Sequence, residues 1–224
     1  MLKFYDFTIL IHENMSGVPP VFSRPVVKLS HTYEKDKWLA EDITLNTHDG
    51  THIDCPAHMF PGMKTVDQVL LKDLIGTGVI LDIPRGEMGK VTAEDLEKAK
   101  PKIRKGDIVL IHTGWSLKTE PWRKEDDDYL TWKRPGLTVD AAQWLADKEV
   151  RVVGIDNMAI SHPETKEGEE GKSVHFVLLK KGIIIVEGLI NLQQAVGKRA
   201  RIYVIPMPLK GGGGSIARVF AEVN

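Results

Sequence analysis

Five short runs of apolar residues, dense in valine and isoleucine, most constrain what this chain can become: GVILDI at 78–83, DIVLIH at 107–112, VRVVGID at 150–156, GIIIVEG at 182–188 and RIYVIPM at 201–207. Each has the length and β-branched character of a strand. Because they barely alternate with polar residues, they have no face to give to water and are expected to be covered on both sides. Helical segments between them can supply the cover. TAEDLEKAK starts at Thr92 with Asp95 three residues on, a capping-box pattern, and TVDAAQWLADK from Thr138 has apolar residues at helical spacing. SVHFVLLKKG reads as a short helix capped by Ser173 and stopped at Gly182. Alternating helices and buried strands predict an α/β fold, with the first fifty residues supplying strands and turns alone. The 224 residues, 42% of them hydrophobic, are enough for one sizeable core, so a single domain over 1–224 is expected.

Charge narrows the partners. Thirty basic residues against thirty-one acidic ones leave a net charge of −1, which gives no electrostatic reason to expect nucleic acid or an anionic membrane. No window approaches the ~20 consecutive apolar residues that cross a bilayer. MLKFYDFTILIHENMSG carries Asp6, His12 and Glu13 through its apolar stretch, unlike a signal peptide. The single cysteine, Cys55, excludes an internal disulfide and fits a reducing compartment, so the expected location is the cytoplasm. Two long polar loops, 119–136 and 161–172, are functional lids or surface segments. The acidic run Glu125 to Asp128 lacks the glycine spacing of a calcium loop and reads as solvated. GGGGS at 211–215 reads as a turn before a last strand, IARVFAEVN.

THDGTHIDCPAH, residues 47–58, concentrates metal-binding side chains. Thr51 and Ile53 favour extended chain, where residues two apart share a face, so His52 and Asp54 point one way and Ile53 and Cys55 the other. The Asp49–Gly50 turn can fold His48 back beside them. That makes an imidazole, imidazole, carboxylate set suited to zinc, manganese or iron. His58 either completes the site or serves as its proton shuttle. Cys55 is expected to be a small buried hydrophobe and not a ligand.

A second pair lies further on. The helix from His175 climbs at ~1.5 Å per residue and the strand IIIVE returns at ~3.3 Å per residue. If the strand runs back beside the helix, His175 and Glu187 finish near one end of the unit. Glu187 follows the apolar run IIIV and needs a partner, either a cation or a backbone or arginine donor.

HDGTHIDCPAH resembles the His-x-Gly-Thr-His-x-Asp-x-Pro-x-His signature of the cyclase family of metal-dependent hydrolases, whose members include bacterial kynurenine formamidases. Further resemblance runs through IHTGW at 111–115, RPGLTVDAAQWLADKEVRVVGID at 134–156 and HFVLLKKGIIIVEGLINL at 175–192. The resemblance implies a swivelling β/α/β-type domain and a homodimer or higher oligomer. It implies one or two divalent ions per chain, zinc first and manganese second. His48, His52 and Asp54 would hold one ion, and Asp54, His175 and Glu187 the other, with Asp54 bridging. His58 takes the position of the family's catalytic histidine. The chain departs from the family where members carry a Trp-Pro-Gly-Asp or Tyr-Pro-Gly-Asp turn and it reads MSGVPPVFSRP, and Ile216 stands where proline is common.

The expected activity is hydrolysis of a small-molecule amide, an aryl formamide such as N-formylkynurenine giving kynurenine and formate. A metal-bound hydroxide would attack and His58 would shuttle the proton. Trp115 and the tryptophans of the 119–136 loop could flank an aromatic substrate. A hydrolase of another amide, lactam or cyclic imide, or a related lyase or cyclase, is the alternative on the same scaffold. A non-catalytic metal-containing binding protein is the third reading, opposed by the spare imidazole of His58.

Overall fold

The structure, a computed structural model, describes residues 2–15, 23–118, 131–166, 169 and 172–223. Its strands are β1 Lys3–Asp6, β2 Val26–His31, β3 Ala40–Thr44, β4 His52–Asp54, β5 Ile75–Asp82, β6 Lys90–Val91, β7 Ile108–His112, β8 Gly136–Leu137, β9 Val152–Ile155, β10 Ile184–Glu187, β11 Lys198–Pro206 and β12 Gly214–Val223. Eight of them form one sheet in the order β1-β12-β11-β5-β7-β9-β10-β4. The four central strands β5, β7, β9 and β10 are parallel. β11, β12 and β4 join by antiparallel pairing. The first residues of β12 also pair with β4, Gly214 with Asp54 and Ile216 with His52, so the sheet closes on itself. This is the α/β class expected from the sequence.

The near-continuous apolar runs are explained by two cores on opposite faces of the sheet. Ile80, Leu110, Val152 and Val186 pack on one face with Ile53, Cys55, Ile202 and Val219. Their neighbours Val79, Leu81, Val109, Ile111, Val153 and Ile185 pack on the other with Leu96, Leu145 and Leu178 from the helices. Successive side chains of a strand point to opposite faces, so a strand buried on both sides must be apolar at every position. Each fully buried aliphatic side chain contributes roughly 1.5–3 kcal/mol of transfer free energy.

The helices begin where the sequence marks them. Ala93–Lys98 has a complete capping box, in which the Thr92 side chain accepts from Asp95 N–H and the Asp95 carboxylate accepts from Thr92 N–H. Two more expected helices are Val139–Asp147 and Val174–Lys180, the second with Ser173 accepting from Phe176 N–H, and a single turn, Leu71–Leu74, leads into β5. Two local expectations are corrected. A single helical turn, Tyr33–Asp36, joins β2 to β3 within the first fifty residues, where only strands and turns were expected. Gly214 and Ser215 are strand residues and not turn, because they form the pairing that closes the sheet onto β4. The acidic run 125–128 lies outside the described residues. Among the described residues no helix is long and apolar enough to cross a membrane.

Candidate metal centre

β4 brings the first ligands together. His52 and Asp54 point to one side of this short strand, while Ile53 and Cys55 enter the hydrophobic core. Burial, with the Asp54 charge beside it, pushes the Cys55 thiol up to about 12, so it stays protonated near neutrality. His48 returns to the strand through a tight turn. Asn46 N–H donates to the Asp49 carboxylate at 2.7 Å, His48 N–H donates to the Asn46 side chain at 2.9 Å, and Gly50 takes φ +60°. His48 Nδ1 then lies 2.7 Å from Asp54 Oδ1.

The second pair converges through the helix-and-strand unit. Glu187 ends β10, which pairs directly with β4, placing Glu187 opposite His52. His175 sits in the first turn of the helix that precedes this strand. Its Nε2 is 3.2 Å from Glu187 Oε1 and 3.5 Å from Asp54 Oδ2, and His52 Nε2 is 3.4 Å from Glu187 Oε2. Asp54 is thus common to two trios whose ligand atoms all lie within 4.8 Å of one another: His48, Asp54 and His58, and His52, Asp54 and Glu187. The geometry puts His58 as near to Asp54 as a ligand would be. Its ring centroid is 4.3 Å from that of His48 and 6.1 Å from that of His175.

The surroundings fix each ring. His52 Nδ1–H donates to Gly50 O at 2.9 Å, which turns Nε2 toward the two carboxylates. Ser161 Oγ is hydrogen-bonded to His175 Nδ1 at 3.1 Å, and Ile160 N–H donates to Glu187 Oε1 at 2.6 Å. Burial pushes the His52 imidazole down, but the Glu187 and Asp54 carboxylates outweigh it and hold the ring at about 9. Burial also disfavours the Asp54 charge, yet His175, His48 and His52 keep this carboxyl well below the usual range. His58 is lowered, first by burial and further by His48 and His175, against the pull of Asp54.

These residues fit a divalent cation. Asp54 Oδ1 is fully buried, with His48 Nδ1 at 2.7 Å and His52 Nε2 at 3.6 Å. Two buried carboxylates, Asp54 and Glu187, converge among these imidazoles, and a cation that takes their lone pairs offsets the cost of burying both charges. Nitrogen and oxygen donors in this mixture suit zinc or a neighbouring transition metal.

The centre opens into a cavity of about 430 Å³. His58 lies on its wall beside Met59, Trp132, Met158, Ala159 and Pro163, with Thr131, Arg134 and His162 as polar members. Trp115, expected to flank the substrate, is corrected. It is completely buried with Ile9, Met15 and Met158 and is not among the residues lining the cavity. Trp132 holds that place instead. Trp122 lies outside the described residues. Sequence reasoning also missed Thr131, which carries no motif of its own, and gave no role to Arg134, which opens the resembling segment at 134–156. Ser161 and His162 fall in the segment after GID that is longer here than the short Pro-Ser segment of the formamidases, where the resemblance marks them as possible equivalents or neighbours.

A mixed α/β barrel-like sheet bears a buried His/Asp/Glu group, suited to a divalent metal, beside a cavity. The chain belongs to the cyclase family, whose model, described as "Putative cyclase", matches residues 6–162. It is similar to cyclase-like protein 3 of Oryza sativa subsp. japonica, with 33% identity over 185 residues, 79% of this chain and 63% of that one. The kynurenine formamidase of Erythrobacter litoralis (strain HTCC2594) is 28% identical over 176 residues, 79% of this chain and 73% of that one. Among solved structures, one described as a potential metal-dependent hydrolase with cyclase activity superimposes with a TM-score of 0.79 at 30% identity, covering 100% of this chain and 99% of the other.

Proposed function

We propose that this chain is a metal-dependent hydrolase of a small-molecule amide, with an aryl formamide such as N-formylkynurenine as the first substrate class. The observation that carries this reading is Asp54, buried and shared by two ligand trios, with a cavity above it. The similarity to a kynurenine formamidase supports the choice of an amide bond. His48, His52, Asp54, His175 and Glu187 would hold the metal, zinc before manganese, as one or two ions. When bound, a divalent ion supplies acidified water and a Lewis acid for the carbonyl oxygen.

The chain's own residues do the rest. His58 has a lowered pKa, so near neutrality its imidazole is free to accept the proton that leaves the attacking water. The same ring, once protonated, can return that proton to the departing nitrogen. Its place on the cavity wall beside His48 puts it between the centre and the substrate space. Ser161 and the Ile160 N–H hold His175 and Glu187 in orientation while charge moves. Met59, Trp132, Met158 and Pro163 offer an apolar surface for a ring.

A second reading, a cyclic amide such as a lactam or imide, is favoured by that same wall. N-formylkynurenine carries a zwitterionic amino-acid head, whereas Met59, Trp132, Met158, Ala159 and Pro163 make an apolar part of the wall that suits an uncharged ring.

The test is turnover of N-formylkynurenine by metal-reconstituted protein, followed through kynurenine formation, with chelator-treated protein alongside. Metal-dependent turnover establishes the formamidase reading. Its absence in protein shown to hold metal rejects that substrate and sends the assay to lactams and cyclic imides.

A further inference from the structure

Arg134 is buried, 6% exposed, on the wall of the cavity. Its guanidinium reaches the backbone of two segments. Nε donates to Ala159 O at 3.1 Å, Nη2 donates to Ser161 O at 3.1 Å, and Nη1 donates to Thr131 O. The carbonyls of 159 and 161 flank the residue whose N–H holds Glu187 Oε1, and Ser161 itself holds His175 Nδ1. Three consecutive residues, 159 to 161, thus carry the arginine on one side and two candidate metal ligands on the other.

The join between these segments is close along its length. Leu137 N–H donates to Ile160 O at 2.8 Å, His162 N–H to Leu137 O at 3.0 Å, and the Asn157 side chain to Pro135 O at 2.8 Å. A Cβ at Gly136 would lie 2.4 Å from His162 N, so only glycine lets the two backbones meet here. Hydrogen bonds from Leu137 fix the segment along the strand direction. They leave its rotation toward the metal centre to be set by its other polar groups. The guanidinium fork is planar and rigid, and a donor set of that shape fixes the 159 and 161 carbonyls relative to each other.

We propose that Arg134 is a positioning residue for the His175–Glu187 half of the metal centre, acting through residues 159–161. This rests on the reading of His175 and Glu187 as ligands. Loss of the fork would leave the buried Ser161 carbonyl and the part-buried Ala159 carbonyl short of donors, and the segment would turn to satisfy them. The Ser161 hydroxyl and the Ile160 N–H turn with it, away from the ligands they orient.

The test uses the full chain loaded with Co²⁺ and compares wild type with Arg134→Met, Arg134→Lys, Ser161→Ala and the double variant R134M/S161A. Visible absorption of the bound cobalt reports ligand geometry, and chelator competition reports affinity. Arg134→Met is expected to shift the cobalt bands and weaken affinity about tenfold or more, within the 10–100-fold range for groups that orient a ligand. The double variant should lose less than the product of the single losses, because both act through one segment. Should Arg134→Met not fold, Arg134→Lys carries the test. Its single ammonium cannot span both carbonyls, and a smaller shift of the same kind is expected. A folded Arg134 variant with wild-type cobalt bands and affinity overturns the proposal while leaving the metal reading intact. Wild-type protein that takes up no Co²⁺ overturns both.

Discussion

Asp54 reaches two histidines that lie more than a hundred residues apart in sequence. Oδ1 is 2.7 Å from His48 Nδ1 and Oδ2 is 3.5 Å from His175 Nε2. One carboxylate therefore joins the local motif of β4 to the distant helix Val174–Lys180. Replacing it with an amide keeps the shape and removes the charge. Asp54→Asn is expected to lower divalent-metal affinity more than ~100-fold, beyond the loss typical of a group that only orients a ligand. Far-UV circular dichroism should stay that of the wild type. Metal content after dialysis decides it, and stoichiometric metal in the variant would remove Asp54 from the centre.

His58 is separable from its neighbours by a different outcome. As a proton carrier, it can be lost without losing the metal, so His58→Ala should keep its metal while kcat falls by ~10²–10⁴-fold. The pH dependence follows from the lowered pKa. The ring is competent as a base only when neutral, which holds above its folded pKa and fails as the pH drops through it. The acidic limb of kcat/KM should therefore fall below pH 6.5 and be absent from the residual activity of the variant. Loss of metal along with activity would instead place His58 among the ligands, as its closeness to His48 and Asp54 permits.

What could be read in advance followed from distance along the chain. His48, His52 and Asp54 are set by one turn and one short strand, and extended-chain alternation predicts their common face. His175 and Glu187 were within reach because a helix and the strand that follows it bring their ends together. The closure of the sheet through Gly214 and Asp54 was not legible, since nothing local to GGGGS announces a partner 160 residues away. The cavity wall was harder still. Trp115 and Trp132 have the same chemistry in sequence, and only the packing of Ile9, Met15 and Met158 buries the first, leaving the second at the cavity. Arg134 acts on backbone carbonyls, which every residue has, so no side-chain pattern could mark its partners.

Proton release should accompany metal binding. In the metal-free chain His52 is held at about 9 by Glu187 and Asp54 against the effect of burial, so near pH 7 it carries a proton that a cation must displace. Affinity should rise with pH up to about 9, and calorimetry in buffers of different ionisation enthalpy should count the proton released. The linked stability has the opposite slope. A histidine raised from 6.5 to about 9 stabilises the metal-free fold fully below pH 6.5, and this contribution is lost as the pH rises through about 9. The Tm of metal-free protein should fall over that window, while excess metal at 100 times Kd adds about 2.7 kcal/mol. Parallel Tm curves with and without metal would contradict the assignment.

Gly214 tests whether closing the sheet also builds the site. A Cβ there would lie 2.6 Å from His48 Cε1, 2.9 Å from His48 Nε2 and 2.8 Å from Ile53 O. The strand cannot retreat without breaking its pairing with Asp54, so the imidazole must move. Gly214→Ala is expected to reduce metal affinity at least tenfold and to destabilise the metal-free fold by about 1–3 kcal/mol, the usual cost of overpacking. Urea unfolding with and without metal separates the two effects, since the metal-dependent increment should shrink more than the metal-free stability. An unchanged increment would mean that His48 adapts without leaving its place, and the ligand set would be more tolerant than the close fit of β12 against His48 implies.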